Sequence, residues 1–230
     1  EKARITVSKK RTFEAALGYR GTKTAVHNFA SASNPGGGVE RGANAQEECL
    51  CRCSGLFKCL NAPDAWSGFY MAHRAEHNPI HNDDIIYTPD VLVFKSDTVK
   101  PELMEEADWY NVDVITCAAP NLREKLSNAF NTGDGKDAIK ITDKDLLAIH
   151  EKRLRRILDV ALSNKVETIV LGAFGCGAFM NNPNVVAQAS KNVVNEYLYA
   201  FKNIEFAVYC SPKDDTNYRI FDRVLKPYTK

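Results

Sequence analysis

Short apolar runs alternate with longer amphipathic stretches along the chain, and this alternation constrains the fold more than any other feature. Residues 112–117 and Thr168–Leu171 are rich in β-branched side chains and have the length of buried strands. Residues 143–162 carry leucine and isoleucine at helical spacing, and Thr142 or Asp143 is a suitable N-cap. Strands that alternate with helices are typical of an α/β sandwich around a largely parallel sheet.

Composition indicates one globular domain over residues 1–230, because 230 residues with 44% hydrophobic and 26% charged side chains suit a single α/β unit. The 30 Lys and Arg residues nearly balance the 29 Asp and Glu residues, so the net charge is +1. A chain without a strong basic field is not expected to bind duplex nucleic acid. No signal peptide or apolar run near 20 residues is present, so we expect an intracellular protein, cytoplasmic or nuclear, without a membrane span. We also expect a monomer.

Two groups of potential metal ligands stand out. The first consists of Cys49, Cys51, Cys53 and Cys59, and the second of His73, His77 and His81. The cysteine spacing lacks the second Cys or His pair of a structural zinc site, which favours reduced thiols. The Asn78-Pro79 step interrupts any helix before the last histidine, so we expect loop or solvent-exposed histidines rather than metal ligands.

A glycine-rich connection follows the predicted strand at residues 24–30. Residues 31–45 contain Asn34 and then the consecutive glycines Gly36, Gly37 and Gly38. Glycine lets backbone amides approach a phosphate or a sugar closely, so this loop is a candidate binding loop. A flexible surface loop is the competing interpretation.

A second glycine-rich connection, residues 172–182, follows the predicted strand Thr168–Leu171 and precedes a helix that Asn182 and Pro183 would begin. A strand, a glycine-rich loop and a capped helix form an arrangement that binds phosphate. Simple packing of the strand against the helix is the alternative. Cys176 lies in this loop, and no histidine is placed near it by sequence, so we expect a packing residue rather than a nucleophile. In a parallel sheet both loops lie at the carboxyl ends of the strands, where ligands bind.

The acidic pair Glu47-Glu48 follows Gln46 at the start of a helix predicted over residues 46–60. Acidic residues in a first helical turn commonly serve only as partners of the helix dipole. Adjacent helical side chains point about 100° apart, so this motif is not the facing carboxylate pair of two-carboxylate glycosidases. If the motif is catalytic, one carboxylate performs the chemistry and the other orients the substrate.

Together the motifs resemble those of microbial-type poly(ADP-ribose) glycohydrolases. The resemblance rests on Gly36-Gly37-Gly38, on Gln46-Glu47-Glu48, and on Gly175-Cys176-Gly177-Ala178-Phe179 in the same order along the chain. It extends over roughly residues 24–183. It implies a macrodomain-like three-layer sandwich with a mixed, largely parallel central sheet. It also implies hydrolysis of the ribose–ribose O-glycosidic bonds of poly(ADP-ribose), a reversal of ADP-ribosylation that belongs to the DNA damage response, by an exo-acting enzyme without cofactor or metal.

The resemblance also implies roles for individual residues. Glu48 would be the general acid and then the general base around an oxocarbenium-like ribose, while Glu47 would hydrogen-bond the substrate near the scissile bond. Both glycine-rich loops would grip the diphosphate through backbone amides, and Phe179 would pack on the distal ribose. The implied substrate contacts are Asn34, Gly36, Gly37, Gly38, Gln46, Gly175, Cys176, Gly177, Ala178 and Phe179, with Asn28 a weaker candidate.

Two other functions remain open at this stage. A macrodomain that only binds ADP-ribose would need the phosphate loops but not the glutamate pair, so the pair favours an enzyme. A mono-ADP-ribosyl hydrolase acting on protein or DNA adducts would cleave at the same anomeric carbon and could use the same residues. Either way, the expected partners are poly(ADP-ribose), ADP-ribose and ADP-ribosylated proteins. Met180 and Asn181 stand where the family commonly has a glycine, so the end of the second loop is expected to differ in shape.

Overall fold

A six-stranded sheet forms the centre of the protein, whose computed structural model describes residues 1–124 and 139–229. The strands are β1 (Arg4–Ser8), β2 (Thr24–Phe29), β3 (Ile86–Val93), β4 (Tyr110–Cys117), β5 (Thr168–Leu171) and β6 (Asn203–Ala207). Their order is β1-β6-β5-β2-β4-β3. Every neighbouring pair is parallel except β3 and β4, which are antiparallel. The predicted mixed, largely parallel sheet is therefore confirmed.

Helices cover both faces of this sheet. They are α1 (Thr12–Leu17), α2 (Gln46–Cys53), α3 (Leu56–Leu60), α4 (Pro63–Ala65), α5 (Met71–Glu76), α6 (Asp143–Ser163), α7 (Pro183–Glu196) and α8 (Thr216–Leu225). A π-helical segment, Trp66–Tyr70, joins α4 to α5, and single 3₁₀ turns lie at Val39–Arg41 and Glu106–Asp108. Apolar residues of α6, α7 and α8 pack in one core cluster, and those of α1, α2 and α3 pack in another.

Consecutive strand residues divide between these two clusters, because successive side chains of a strand point to opposite faces. Ala25 in β2 and Ile169 in β5 belong to the cluster with α6, α7 and α8. Val26 and Val170, the next residue of each strand, belong to the other cluster. The central strands are thus buried on both sides, which confirms the three-layer α/β sandwich and explains the continuously apolar sequence of β5.

Two predicted elements differ from the structure at the sheet's edge strand β3. The helix predicted over residues 46–60 is divided, because Ser54 is extended and pairs with Val93 while the Gly55 amide donates to the Leu92 carbonyl at 3.0 Å. Residues 85–87 and 91–94 have the composition of two strands separated by a turn at residues 88–90, but the structure has a single strand, β3, across these positions, with a bulge in its register with β4. Contacts across the sheet edge therefore override the local sequence signals.

The histidines of the predicted loop or solvent-exposed group do not all fit that expectation. His73 is buried in α5, where its Nδ1 lies 2.9 Å from the Phe69 carbonyl and its Nε2 lies 3.0 Å from Asn82 Oδ1. His81 is also buried. The expectation is wrong for His73, which is buried in a helix, whereas His81 does lie in a loop, although its side chain is buried as well. Within residues 1–124 and 139–229, no group of three or more His, Cys, Asp or Glu side chains could hold a metal ion.

None of the helices in the described part of the chain is both long and apolar enough to cross a membrane. The seven cysteines are free thiols, as the sequence predicts.

The sheet brings the two glycine-rich loops together. β2 and β5 are parallel neighbours, paired from Thr24 with Thr168 to Val26 with Val170. The loop after β2 (residues 30–45) and the loop after β5 (residues 172–182) therefore leave the same edge of the sheet side by side. We call them the first loop and the second loop.

Candidate active site

Glu48 is fixed at the base of the first loop by two backbone amides. It lies in the first turn of α2 and is 7% exposed. The Gly38 amide donates to its Oε1 at 2.8 Å, and the Ala45 amide donates to its Oε2 at 3.0 Å. Ala45 is the N-cap of α2, so the second bond is the backbone half of a capping box. Because both donors belong to the backbone, the orientation of this carboxylate is set by the path of the first loop.

Glu47 is buried more deeply and is held by different groups. It is 3% exposed, its Oε2 accepts from the Ser31 amide at 2.7 Å, and its Oε1 accepts from Asn28 Nδ2 at 3.2 Å. Burial raises the pKa of Glu47 to about 8; the hydrogen bonds lower it, and the neighbouring charge of Glu48 raises it further. Glu47 therefore carries a proton at neutral pH.

Gly37 lies against both carboxyl groups. Its φ of +60° is in the left-handed region that favours glycine. A β-carbon at this position would collide with Glu48 Oε1 and would lie 3.2 Å from Glu47 Oε2. Adjacency on a helix did not predict this arrangement: the two side chains start in different directions, yet their tips approach the same glycine. The chain therefore brings two carboxyl groups, one of them protonated, to one place.

The amides of the first loop are used within the protein. The Gly37 amide donates to the Asn34 carbonyl at 3.0 Å, and the Gly38 amide donates to Glu48. The Gly36 amide acts on Glu47, where it lowers the carboxyl pKa. These amides are therefore engaged within the protein, and the expectation that they grip a diphosphate stays a prediction. The glycines of this loop shape a close-fitting cradle for the two carboxyl groups.

The second loop presents backbone amides to solvent. Gly175 has a φ of +77°, and a β-carbon there would lie 2.7 Å from Ala119 Cβ, so only glycine fits. Gly177 and Ala178 are exposed at the tip, and their amides have no acceptor in the described part of the chain. Such amides beside the N-terminus of α7 suit an anionic ligand. Burial raises the pKa of the Cys176 thiol, which agrees with a packing residue rather than a nucleophile.

Aromatic rings form the floor between the two loops. The ring of His27 lies 5.0 Å from that of Phe29 and 4.4 Å from that of Phe174. Burial lowers the pKa of His27 to about 3, so the ring is neutral at physiological pH. Phe179 is half-buried at the end of the second loop, and its ring lies 6.3 Å from that of His81. The floor between the two loops is therefore uncharged.

Comparison with known proteins gives the family. The family described as "Microbial-type PARG, catalytic domain" matches residues 1–96, which include β1, β2, the first loop and α2. The crystal structure of poly(ADP-ribose) glycohydrolase from Thermomonospora curvata bound to the inhibitor ADP-HPD is 33% identical, with a TM-score of 0.82 over 96% of this chain and 78% of that chain. The same enzyme from Deinococcus radiodurans in complex with ADP-ribose is 33% identical, with a TM-score of 0.82 over 98% of this chain and 85% of that chain. No curated protein matches by sequence.

The chain belongs to the microbial-type poly(ADP-ribose) glycohydrolase family. It is accordingly a hydrolase with the fold of that family, as the sequence motifs predicted.

Gln46 connects the start of α2 to β2 and α1 in this glycohydrolase. Its Nε2 donates to the His27 carbonyl at 2.7 Å and to Thr12 Oγ1 at 3.1 Å, and its Oε1 accepts from the Phe29 amide at 2.8 Å. Both ends of the side-chain amide are thus engaged with β2 and α1. Gln46 therefore fixes the start of α2 against the carboxyl end of β2, and the substrate contact expected from sequence stays a prediction.

Arg74 is a residue of the glycohydrolase site that sequence reasoning missed. Its Nη2 donates to Asn34 Oδ1 at 2.8 Å and its Nε donates to the Ser33 carbonyl at 2.7 Å. The guanidinium also lies over the Trp66 ring, 4.6 Å from its centroid. Arg74 thereby ties α5 to the first loop and orients Asn34. No local signal could identify it, because the contact joins segments 40 residues apart.

Proposed function

We propose that this glycohydrolase cleaves the ribose–ribose O-glycosidic bonds of poly(ADP-ribose) and releases ADP-ribose. The observation that carries the proposal is the buried Glu48 carboxylate, held by two backbone amides at 2.8 and 3.0 Å beside the protonated Glu47. The two related crystal structures support ADP-ribose as the ligand, because one contains ADP-ribose and the other contains the inhibitor ADP-HPD.

In the proposed mechanism, Glu48 acts in turn as acid and base. It donates a proton to the leaving ribose oxygen as the bond from that oxygen to the anomeric carbon breaks, and an oxocarbenium-like ribose forms. The Glu48 carboxylate then takes a proton from the attacking water, whose oxygen bonds to the anomeric carbon. This step returns Glu48 to its starting protonation state. No metal or cofactor takes part in this sequence.

Glu47 serves the same reaction as a neutral hydrogen-bonding group. Because its pKa is raised to about 8 by burial, it can donate a hydrogen bond to a ribose hydroxyl at neutral pH. A proton on Glu47 also avoids a second negative charge once Glu48 has given its proton to the leaving oxygen, since both side chains approach Gly37. The two adjacent glutamates therefore have different tasks because one of them is desolvated more completely.

The second loop binds the diphosphate in this proposal. The exposed amides of Gly177 and Ala178 contact the phosphate oxygens, with Gly175 and Cys176 shaping the turn beneath them. Phe179 packs on the distal ribose and holds it for attack. In the first loop, Gly36, Gly37 and Gly38 line the ribose side of the site while their amides hold Asn34 and the carboxyl groups. Asn34, oriented by Arg74, contacts a ribose hydroxyl, and Gln46 positions α2.

Further expectations from the sequence are part of the proposal. We propose that residues 1–230 form one catalytic domain, since both core clusters share one sheet. We propose that the enzyme is a monomer that cleaves from the chain end. We also propose that it acts on poly(ADP-ribose) attached to ADP-ribosylated proteins, and so reverses ADP-ribosylation in the DNA damage response.

Product analysis on two substrates tests this function. The protein is incubated with poly(ADP-ribose) and, separately, with a mono-ADP-ribosylated peptide, and products are separated by chromatography over time. We expect free ADP-ribose from the polymer at the earliest times, while the remaining chains shorten gradually. Short free oligomers that appear before ADP-ribose accumulates would contradict exo cleavage, and release from the peptide alone would indicate a mono-ADP-ribosyl hydrolase. Binding of polymer without any product would indicate a binding module and overturn the proposal.

A further inference from the structure

A buried asparagine lies directly behind the second loop. Asn181 is 2% exposed, and its Nδ2 donates to the Pro120 carbonyl at 2.7 Å, the Gly175 carbonyl at 3.1 Å and the Phe179 carbonyl at 3.2 Å. Gly175 and Phe179 are the two ends of the diphosphate-binding turn, and Pro120 follows β4. One side-chain amide therefore fastens both ends of the loop to the neighbouring strand.

The other side of this amide is held by helix α6. Asn181 Oδ1 lies 2.8 Å from Nε2 of His150, which is also buried. Three carbonyls around Nδ2 fix the orientation of the amide, so Oδ1 is the acceptor and His150 Nε2 carries the hydrogen. Burial lowers the pKa of His150 to about 4, so the ring is neutral near pH 7 and holds its single proton on Nε2.

We propose that Asn181, supported by His150, is the residue that positions the second loop for substrate. The inference rests on the proposed function, because it assumes that the loop amides and Phe179 bind ADP-ribose. Asn181 does not touch the reacting atoms; it sets the spacing between the amides at the loop tip and the ring of Phe179. The residue between Phe179 and Asn181 supports this view. Met180 has a φ of +59°, a left-handed conformation that persists in a non-glycine residue only when its neighbours are anchored.

This positioning role has a distinct kinetic signature. The diphosphate is bound alike in the ground state and in the transition state, so loosening the loop raises KM and leaves kcat nearly unchanged. For Asn181→Ala we expect the Kd for ADP-ribose to rise about tenfold, which corresponds to about 1.4 kcal/mol. His150→Gln keeps a side-chain N–H that can donate to Asn181 Oδ1 and should stay within about twofold of the native Kd. His150→Leu removes the donor and should resemble Asn181→Ala.

Asn182→Ala is the matched control for a purely structural effect. Asn182 is the next residue, and its Oδ1 accepts from the Asn184 amide at 3.1 Å as the N-cap of α7. Removing this cap destabilises the start of α7 but leaves the hydrogen bonds of the Asn181 side chain in place. The experiment measures, for each variant, the melting temperature, the Kd for ADP-ribose by calorimetry, and hydrogen exchange of the Cys176 and Met180 amides. Both amides are bonded within the loop, to Ala173 and to Gly177.

The outcomes separate the inference from the proposed function. Faster exchange in the loop together with a raised Kd in Asn181→Ala, but not in Asn182→Ala, supports the inference. Unchanged loop exchange in Asn181→Ala overturns it, and so does faster exchange with a native Kd. If the Kd of each variant rises only in proportion to the decrease in its melting temperature, the role of Asn181 is purely structural and the inference is wrong. If the native protein does not bind ADP-ribose, the proposed function fails, and the exchange measurement still decides whether Asn181 holds the loop.

Discussion

Substitution of Gly37 by alanine would displace the carboxyl group of Glu48, the proposed proton donor, without altering either glutamate. The new β-carbon would collide with Glu48 Oε1 and would lie 3.2 Å from Glu47 Oε2. Neither carboxylate can retreat easily, because Glu48 is bonded to the Gly38 and Ala45 amides and Glu47 is bonded to Ser31. We therefore expect Gly37→Ala to shift Glu48 away from the position that protonates the leaving ribose.

The expected magnitude has two parts. Alanine in a left-handed conformation costs about 1–2 kcal/mol, since the φ of Gly37 is +60°. Weakening the charged hydrogen bond from Gly38 to Glu48 adds about 1.5–3 kcal/mol to the loss of stability. Misplacing a catalytic group by about 1 Å reduces the rate by about 100-fold, so we expect at least that loss of kcat.

Gly42→Ala is the matched control, because Gly42 lies in the same loop with a φ of +77° but has no atom within 4 Å of the added β-carbon. Both variants should lose about 1–2 kcal/mol of unfolding free energy from backbone strain, measured by urea unfolding. Only Gly37→Ala should lose hydrolysis, measured as ADP-ribose released from poly(ADP-ribose) at a temperature where both variants are folded. Equal activity in the two variants would refute the conclusion that a β-carbon at position 37 displaces the carboxyl groups.

Three further predictions concern the residues around this centre. Glu47 has a pKa of about 8 in the folded protein and an ordinary value of 4.5, so the stability it contributes is full below pH 4.5 and is lost as the pH rises to about 8. The free energy of unfolding of Glu47→Gln should therefore fall less steeply with pH over this range than that of the native protein. Parallel curves for the two proteins would contradict a proton on Glu47. Phe179→Ala should lower kcat/KM about tenfold or more, since burying an aromatic ring on the ribose contributes roughly 1.5–3 kcal/mol, whereas Phe179→Tyr should stay near native. A native kcat/KM in the alanine variant would exclude packing on the ribose. Met180→Gly should raise the free energy of unfolding, measured in urea, by up to ~1 kcal/mol, because glycine adopts a φ of +59° without strain. A free energy of unfolding below that of the native protein would show that Met180 stores no strain.

Local signals in the sequence were enough to predict the helices that support the site. Helix α6 begins where Thr142 was expected to cap it, and Thr142 Oγ1 accepts from the Asp145 amide at 3.1 Å. Helix α7 begins at Pro183 with Asn182 as its cap. Such caps depend only on residues within one turn, and the burial of strands such as β5 on both faces is visible in their composition. The alternation of these elements predicted the sheet and the common edge of the two loops.

Contacts between distant segments were beyond sequence reasoning. The convergence of Glu47 and Glu48 on Gly37 depends on how closely the first loop folds over α2, which no spacing rule specifies. The bonds from Arg74 to the first loop and from His150 to Asn181 join residues 40 and 31 positions apart. The sequence identified the residues that carry charge and the glycines that allow close approach, but not the side chains that hold them in place.

The hydrogen-bond partners of the first loop also could not be predicted from the sequence. Three consecutive glycines suggested free amides for phosphate, whereas the Gly37 and Gly38 amides are bonded to Asn34 and Glu48. Glycine at a site marks close approach of the backbone to some group, and only the fold shows whether that group is a ligand or a side chain.

The central claim is that Glu48 is the proton donor, and Glu48→Gln tests it most directly. Glutamine has the same shape but presents an NH₂ group to one of the two backbone donors, Gly38 or Ala45, so a lower melting temperature is expected and is measured first. At a temperature where the variant is folded, its release of ADP-ribose from poly(ADP-ribose) should fall by about 10²–10⁴-fold, while its Kd for ADP-ribose stays within a few-fold of native. Hydrolysis at the native rate by a folded Glu48→Gln protein would contradict the account.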